Sequence, residues 1–165
     1  MKWLLESPWG RRTQLLVAEV SGKPVGIIGV LLDTQRPVPK GYLWTFAVAP
    51  EAEGTSIERL LLRHAVEWLT SHGAREAQIE VRDNMRARTA LLKSEGFTLT
   101  REYLVMRMSL AEFSQDLSPN PRVRIAAVDP LRDESALRTL TALENAAFVE
   151  HFNYRPTAEE EYRSW

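Results

Sequence analysis

The sequence VAPEAEGTSIERLLL, residues 48–62, decides the fold. It follows an apolar segment with strand character, Tyr42–Ala49, which a proline ends. A helix with apolar residues at helical spacing comes next, and Thr55 and Glu58 have capping-box spacing at its start. Gly54 lets the backbone approach a ligand closely. A strand, a glycine turn and a helix N-terminus together favour anion binding, because the first N–H groups of a helix lack partners.

The elements around this stretch predict three strands, a helix, a strand, a helix and two further strands between Leu15 and Leu110. The first two strands form a hairpin across a Ser-Gly-Lys turn, and Gly73 ends the first helix. Asp83 or Asn84 is expected to cap the second helix. The other predicted bounds are Leu15–Val20 and Val25–Leu32 for the hairpin, Ala77–Val81 for the fourth strand, Ser94 for the end of the second helix, and Phe97–Arg101 and Tyr103–Ser109 for the last strand pair.

The C-terminal part predicts a second set of elements. A linker rich in Ser, Pro and Asn spans residues 111–121 and separates the body, residues 1–110, from the tail, residues 122–165. The predicted tail elements are a strand at Val123–Ala127, a helix capped at Asp129, a loop at His151–Arg155, and a second helix with capping-box spacing at Thr157 and Glu160. The chain ends within that second helix, and Met1–Pro8 reads like the end of one.

Composition excludes several classes of function. The net charge of -1 and the pI of about 6.3 argue against nonspecific nucleic-acid binding, which needs a basic field. The absence of cysteine excludes a disulfide scaffold, a zinc-thiolate site and a cysteine nucleophile, and three histidines do not favour a histidine-rich metal site. No apolar run is long enough to span a bilayer, and the N-terminus lacks the pattern of a signal peptide. We therefore expect a cytoplasmic protein without metal, nucleic-acid or membrane partners.

The order of elements and two local motifs resemble the GNAT superfamily of acetyl-CoA-dependent N-acetyltransferases. The resemblance implies an α/β (α+β) fold with a mixed, mostly antiparallel sheet flanked by helices. Leu15–Leu110 matches the family from its second strand to its seventh, and the tail looks like the family's first strand and first two helices, so the order is permuted. The stretch Asn145–Glu161 is similar to tandem-domain members such as the mycothiol synthase-like proteins.

The first motif is the turn within residues 48–62. In the family, this turn presents backbone N–H groups to the pyrophosphate of CoA, and the strand before it holds the pantetheine arm and the thioester. The resemblance therefore implies acetyl-CoA as a co-substrate. The binding residues that it implies are Phe46, Ala47, Val48, Glu53, Gly54, Thr55, Ser56, Ile57, Arg59 and Asn84.

The chain departs from that motif at three positions. Glu53 stands where the family has Arg or Gln, and Ser56 and Glu58 replace two glycines. A carboxylate about 5 Å from a phosphate costs on the order of 3 kcal/mol at a surface-like dielectric. Arg59 and Arg63 are expected to offset part of this cost. The alternative role for Glu58 is structural, as the third residue of a capping box.

The second motif lies in the helix after the fourth strand. Asn84, Ala87, Gly96 and Phe97 fit the family pattern, with capping of the helix as the alternative role for Asn84. Leu92 falls where the family often has the tyrosine that protonates the departing CoA thiolate.

No catalytic residue is assigned from the sequence. The family tyrosine is missing, and no acidic residue within Tyr42–Ala49 offers a general base. Glu150, His151 and Tyr154 are weak candidates, because they fall in the loop that lines the acceptor site in the family. They can serve only if the tail packs against a body.

Three arrangements explain the missing start of the body and the extra start in the tail. The chain is the middle of a tandem protein, or its tail completes its own body as a circular permutant, or two chains exchange tails in a dimer. An extended linker reaches about 35 Å, so completion within one chain is possible but strained. We expect the tail to complete a body, with exchange in a homodimer favoured over completion in cis.

These expectations lead to two functions. The first is an acetyl-CoA-dependent N-acetyltransferase that transfers an acetyl group to the amine of a small molecule. The alternative is a catalytically degenerate GNAT-like binding or structural module. The residues that favour the alternative are Glu53, Ser56, Glu58 and Leu92.

Overall fold

The computed structural model describes residues 12–112, 122–127, 129 and 132–163. The strands are β1 (Thr13–Val20), β2 (Lys23–Asp33), β3 (Lys40–Val48) and β4 (Glu76–Ile79). The helices are α1 (Ser56–Ser71), α2 (Arg86–Ser94), α3 (Glu134–Ala147) and α4 (Glu159–Tyr162). The predictions on residues 1–11 and 113–121 lie outside the described residues.

The four strands form one sheet in the order β1-β2-β3-β4. The first three strands are antiparallel, and β4 runs parallel to β3. Ser21 and Gly22 connect β1 to β2 with φ angles of 52° and 75°. Positive φ at both turn residues matches the twist of a hairpin, which confirms the predicted hairpin.

Helix α1 covers one face of the sheet. The apolar residues of α1 recur at helical spacing and enter a common core with alternate residues of β2 and β3. The most deeply buried members of this core are Ile28, Val30, Leu43, Leu61, Leu62, Ala65 and Leu69. The predicted helix is therefore confirmed, and its C-terminus anchors the start of β4 through Ala74, whose N–H donates to Leu69 O at 2.9 Å.

A β-bulge interrupts β3. The register passes from Gly29 opposite Trp44 to Ile27 opposite Ala47, so that two residues of β3 face a single residue of β2. Thr45, within the bulge, has a φ of 47°. Strand β4 pairs only with the first half of β3, from Lys40 to Leu43. The second half of β3 therefore has a free edge on the β4 side.

The last predicted strand pair is wrong. Residues 97–109 form neither strand, and Leu104 is 92% exposed. The predicted tail strand at Val123–Ala127 is also wrong, with Ile125 93% exposed. Alternating apolar residues show that a segment suits a sheet, but a strand also needs a paired edge and a buried face.

Three helix starts differ from their predictions. Helix α2 follows Met85, which makes no side-chain cap bond, so neither Asp83 nor Asn84 caps it. Helix α3 is capped by Asp133 rather than Asp129, because the Asp133 carboxylate accepts from the N–H of Ser135 at 2.9 Å and of Ala136 at 3.0 Å. The bonds from Ala136 first, and then from Ser135, hold the pKa of Asp133 below its ordinary value.

The start of α4 also lies one residue later than predicted. Ala158, not Thr157, is its N-cap. The carboxylate of Glu161, not of Glu160, accepts from the Ala158 N–H at 3.4 Å. A single turn with an alanine cap gains little stability from its own sequence, so contacts elsewhere decide its position.

The close packing of Trp44 on Gly29 predicts a strong effect of one methyl group. A Cβ at position 29 would lie 2.4 Å from the indole of Trp44. We expect Gly29→Ala to lower the free energy of unfolding in urea by about 1–3 kcal/mol, as overpacking does. In a Trp44→Ala background the same change should cost much less, and equal losses in the two backgrounds would contradict the packing.

Candidate active site

The candidate active site lies where β3 and β4 part. Beyond Leu43 no described strand pairs with β3 on the β4 side, and β3 leads directly into the turn before α1. That turn is held by internal bonds: the N–H groups of Ala52, Glu53 and Thr55 donate to carbonyls within it at 2.8–3.3 Å. Thr55 caps α1 by accepting from Ile57 N at 3.3 Å. The turn thus has hydrogen bonds of its own that do not depend on a ligand.

Gly54 gives this turn its shape. Its φ is 70°, and an added Cβ would meet no atom within 4 Å. Within the described part of the chain, the N–H groups of Gly54 and Ser56 have no acceptor. Two free donors beside the positive end of the α1 dipole suit an anion such as a phosphate.

Glu58 does not complete a capping box. It is 8% exposed, and its Oε1 accepts from Nη2 of Arg88 on α2 at 2.9 Å. Nη1 of Arg88 donates to the carbonyl oxygen of Phe46 at 2.6 Å, and the guanidinium lies over the Phe46 ring at 4.6 Å. The capping prediction for Glu58 is wrong because a buried carboxylate needs a charged partner more than a helix end needs a cap.

The electrostatics of the turn therefore differ from the sequence prediction. Glu58 is neutralised by Arg88 inside the protein, whereas Glu53 is exposed in the turn. Arg63 forms a bidentate pair with Glu95 at 2.8 and 3.2 Å, and Arg59 approaches Glu95 at 3.3 Å. The hydrogen bond from Arg63 lowers the pKa of Glu95.

The model of the acetyltransferase (GNAT) family matches residues 2–97. This chain belongs to the GNAT family. The match covers the described sheet from β1 to β4 together with α1 and α2, and it ends before the tail. No curated protein matches the chain.

Solved structures agree with this family membership. The chain is similar to a transcriptional regulator from Bacillus halodurans, at 20% identity and a TM-score of 0.54, over 59% of this chain and 67% of that one. An aminoglycoside acetyltransferase from an uncultured soil metagenomic sample, in complex with sisomicin, is similar at 17% identity and a TM-score of 0.51, over 60% and 66%. A second aminoglycoside acetyltransferase from an uncultured soil metagenomic sample is similar at 20% identity and a TM-score of 0.53, over 64% of this chain and 70% of that one. These identities show the fold alone.

Some GNAT motif residues of the body lie together at the candidate site, and others lie away from it. Phe46–Val48 and Glu53–Ile57 lie together at the end of β3 and in the turn that follows it. Arg59 is paired with Glu95 instead of facing this turn. Asn84 lies on the exposed turn before α2 and caps no helix. Leu92 is in the hydrophobic core.

The tail of this GNAT protein contacts the body through Asn153. Its backbone carbonyl accepts from Arg36 Nη2 at 2.6 Å, and its side-chain oxygen accepts from Lys40 Nζ at 3.0 Å. Its Nδ2 donates to the hydroxyl of Tyr42 at 3.1 Å and approaches Gln78 Oε1 at 3.5 Å. Asn153 has a φ of 63°, a conformation that asparagine tolerates better than most residues. Sequence reasoning missed this residue.

The three residues proposed from the sequence as catalytic candidates stay within the tail. Glu150 is exposed, and His151 is exposed with its ring edge-on to Phe148 at 5.0 Å. The hydroxyl of Tyr154 donates to Asn145 O at 3.0 Å. The structure thus places Asn153, rather than these neighbours, against β3.

A buried ionic network fixes the tail beside this contact. Arg155 Nε donates to Asp33 Oδ2 at 2.9 Å, and its two terminal nitrogens donate to the Glu161 carboxylate at 2.8 and 3.0 Å. Asp33 also accepts from Arg36 Nε at 2.9 Å. Burial lowers the pKa of Arg155, but the bond to Glu161 and the charges of Asp33 and Glu161 outweigh burial and raise it.

Other features of the described residues do not add to the site. A cavity of about 650 Å³ borders β4, lined in part by Gln78, Ile79, Leu92 and Phe97, and lies away from the turn at Gly54. Over the described ranges, no group of three or more His, Asp or Glu residues is placed to hold a metal ion. No helix there is long and apolar enough to cross a membrane.

The ionic network predicts how the tail can be released. In Arg155→Met, two buried carboxylates lose a partner, which costs about 3–5 kcal/mol. We expect faster hydrogen exchange and proteolysis across residues 132–163, with the sheet unaffected. Arg138→Met is the matched control, because Arg138 is exposed on α3 and, among the described residues, donates only to Glu134 O at 3.3 Å. Equal protection of the tail in both variants would contradict the assignment.

Proposed function

We propose that this protein is an acetyl-CoA-dependent N-acetyltransferase that acts on the amine of a small molecule. The observation that carries the proposal is the edge of β3 from Trp44 to Val48, which no described strand pairs with on the β4 side and which leads into the Gly54 turn and the start of α1. A free strand edge can hydrogen-bond the amides of a pantetheine arm, and the turn offers donors to a pyrophosphate.

The residues of this chain fit the ligand in a second respect. A pyrophosphate at the turn needs few nearby carboxylates, and the ion pair with Arg88 removes the charge of Glu58 from its surroundings. The cost expected from two carboxylates is thereby reduced to that of Glu53. We propose that Phe46–Val48 bind the pantetheine arm and that Gly54 and Ser56 bind the pyrophosphate.

The reaction needs orientation more than side-chain chemistry. The amine nitrogen attacks the thioester carbonyl carbon, the C–S bond breaks, and its electron pair leaves with the CoA thiolate. The nitrogen loses its proton to water. Holding the two reactants in line supplies much of the rate, and donors at the thioester oxygen supply more. Leu92 cannot protonate the thiolate, and Tyr154 is bonded within the tail.

The acceptor is proposed to bind where the tail meets β3. Asn153, Tyr42 and Gln78 form a polar group on that surface, which suits an amine that also carries hydroxyl groups. Two structural neighbours are aminoglycoside acetyltransferases, one of them in complex with sisomicin. Aminoglycosides are therefore the first acceptors to test, within a broader class of small amines.

We further propose that the tail, residues 122–165, completes the domain that the body, residues 1–110, begins, joined by the linker at 111–121. The contacts of Asn153 and Arg155 support this permuted arrangement within one chain, and a second copy can make the same contacts. A homodimer with exchanged tails, a kinship with tandem mycothiol synthase-like proteins and a cytoplasmic location belong to the same proposal.

Tail exchange predicts a particular mass in solution. The chain has a mass of 18.8 kDa, and light scattering should give twice that value for an exchanged dimer. Arg155→Met should shift the dimer toward the monomer, while Arg138→Met should not. A wild-type monomer whose tail is protected from hydrogen exchange would contradict the dimer and favour completion of the domain within one chain.

Acetyl transfer itself is directly measurable. Because the chain has no cysteine, a thiol reagent detects only the CoA that is released. We expect acetyl-CoA to bind in titration calorimetry, and thiol release with sisomicin or another small amine. No heat at millimolar acetyl-CoA would contradict the proposal and favour the degenerate module.

The pyrophosphate site is tested by a matched pair of glycine variants. Gly54 and Gly96 both have positive φ, and an added Cβ meets nothing within 4 Å at either. Alanine at either position strains the backbone by about 1–2 kcal/mol. Only Gly54→Ala should lower the affinity for CoA, by about tenfold. A similar loss in Gly96→Ala would show that the effect is global.

A further inference from the structure

The guanidinium of Arg88 joins α2 to β3 and to α1. It lies in the first turn of α2, and its side chain is 12% exposed. Nη1 and Nη2 donate to Phe46 O and to Glu58, while Nε is buried without an acceptor among the described residues. A buried guanidinium with one unsatisfied donor is a poor stabilising element, since an apolar side chain of similar size avoids that cost.

The carbonyl that Arg88 holds belongs to the free edge of β3. The bulge at Thr45 brings Phe46 into the core and leaves its carbonyl on the side of α2. Because β4 ends its pairing at Leu43, no strand in the described part of the chain bonds this oxygen, and Arg88 does so instead. A pantetheine amide that pairs with β3 competes for the same acceptor.

We propose, on the basis of the function proposed above, that Arg88 exchanges partners when acetyl-CoA binds. The pantetheine arm takes Phe46 O, and the freed Nη1 donates to the thioester of the bound co-substrate. Glu58 keeps Nη2 and acts as the pivot. Phe46 O and Glu58 thus hold the guanidinium of Arg88 in place before the co-substrate binds.

The change of partners lets Arg88 stabilise the departing thiolate, which Leu92 cannot do. Residues 88 and 92 are four apart on α2 and so share one face of the helix. As the amine attacks and the C–S bond breaks, negative charge develops on the thioester oxygen and then on the sulfur. Arg88 stabilises that charge as a fixed cation and transfers no proton, because a guanidinium stays protonated at neutral pH. The thiolate leaves with the electron pair, and the amine proton passes to water.

The first test follows Arg88 directly. In ¹⁵N-detected spectra, the Nε–H signal of Arg88, identified by its loss in Arg88→Lys, should be slow to exchange because it is buried. We expect the signal to shift with acetyl-CoA and to stay in place with adenosine 3′,5′-bisphosphate, which lacks the pantetheine arm. A signal that does not move while acetyl-CoA binds normally would overturn the proposed change of partners and show that Arg88 has only a structural role.

The second test separates this inference from the proposed function. Arg88→Lys keeps the charge but loses the forked donors, so we expect CoA affinity within about threefold of wild type and kcat lower by about tenfold to a hundredfold, with KM for the amine unchanged. Arg63→Lys is the control, because Arg63 also joins α1 to α2 through a carboxylate, Glu95, but is exposed. Unchanged kcat in Arg88→Lys overturns the inference. Wild-type protein that binds no acetyl-CoA overturns the proposed function as well.

Discussion

The bulge in β3 is the constraint on which the rest of the structure depends. One extra residue at Thr45 and Phe46 bends the strand away from β4 just after Leu43. The same bend turns Phe46 into the core beneath α1 and leaves its carbonyl for Arg88. The end of β3, the Gly54 turn and α1 follow in sequence beyond the last residue that pairs with β4. Without the bulge, β4 would continue along β3, and the edge that the proposed co-substrate uses would be paired.

The sequence predicts well the parts of the fold that depend on local periodicity. The hairpin, β3, α1 and β4 have clear patterns, and the structure confirms them. Strands at 97–109 and Val123–Ala127 were expected from the same kind of pattern and are absent from the described residues. For those segments, alternation shows only that the residues suit a sheet, and it carries no information about whether a partner edge is available.

In the candidate site, too, the local features are predictable from the sequence and the long-range contacts are not. Gly54 and the start of α1 are readable from sequence, because a positive φ and free N–H groups are local properties. The partner of Glu58 is 30 residues away, and Asp33, which also pairs with the nearby Arg36, has its partner in the tail 122 residues away. Such ion pairs have no local signal, since a charged residue in a sequence looks the same whether it faces water or a partner. Asn153, Arg88 and Arg155 were missed for this reason.

Two contacts that the sequence did not predict, those of Asn153 and Arg88, act on β3 at opposite ends and on opposite faces. Leu43 faces α1, so the alternation of a strand places Tyr42, with Asn153, on the other face. Arg88 and Phe46 lie at the far end, on the α1 side. In the proposed reaction, the acceptor therefore approaches from the tail side and the thioester from the helix side. The gap between β3 and β4 is where they can meet, and this explains why a sheet that gains stability from pairing leaves half of a strand edge free.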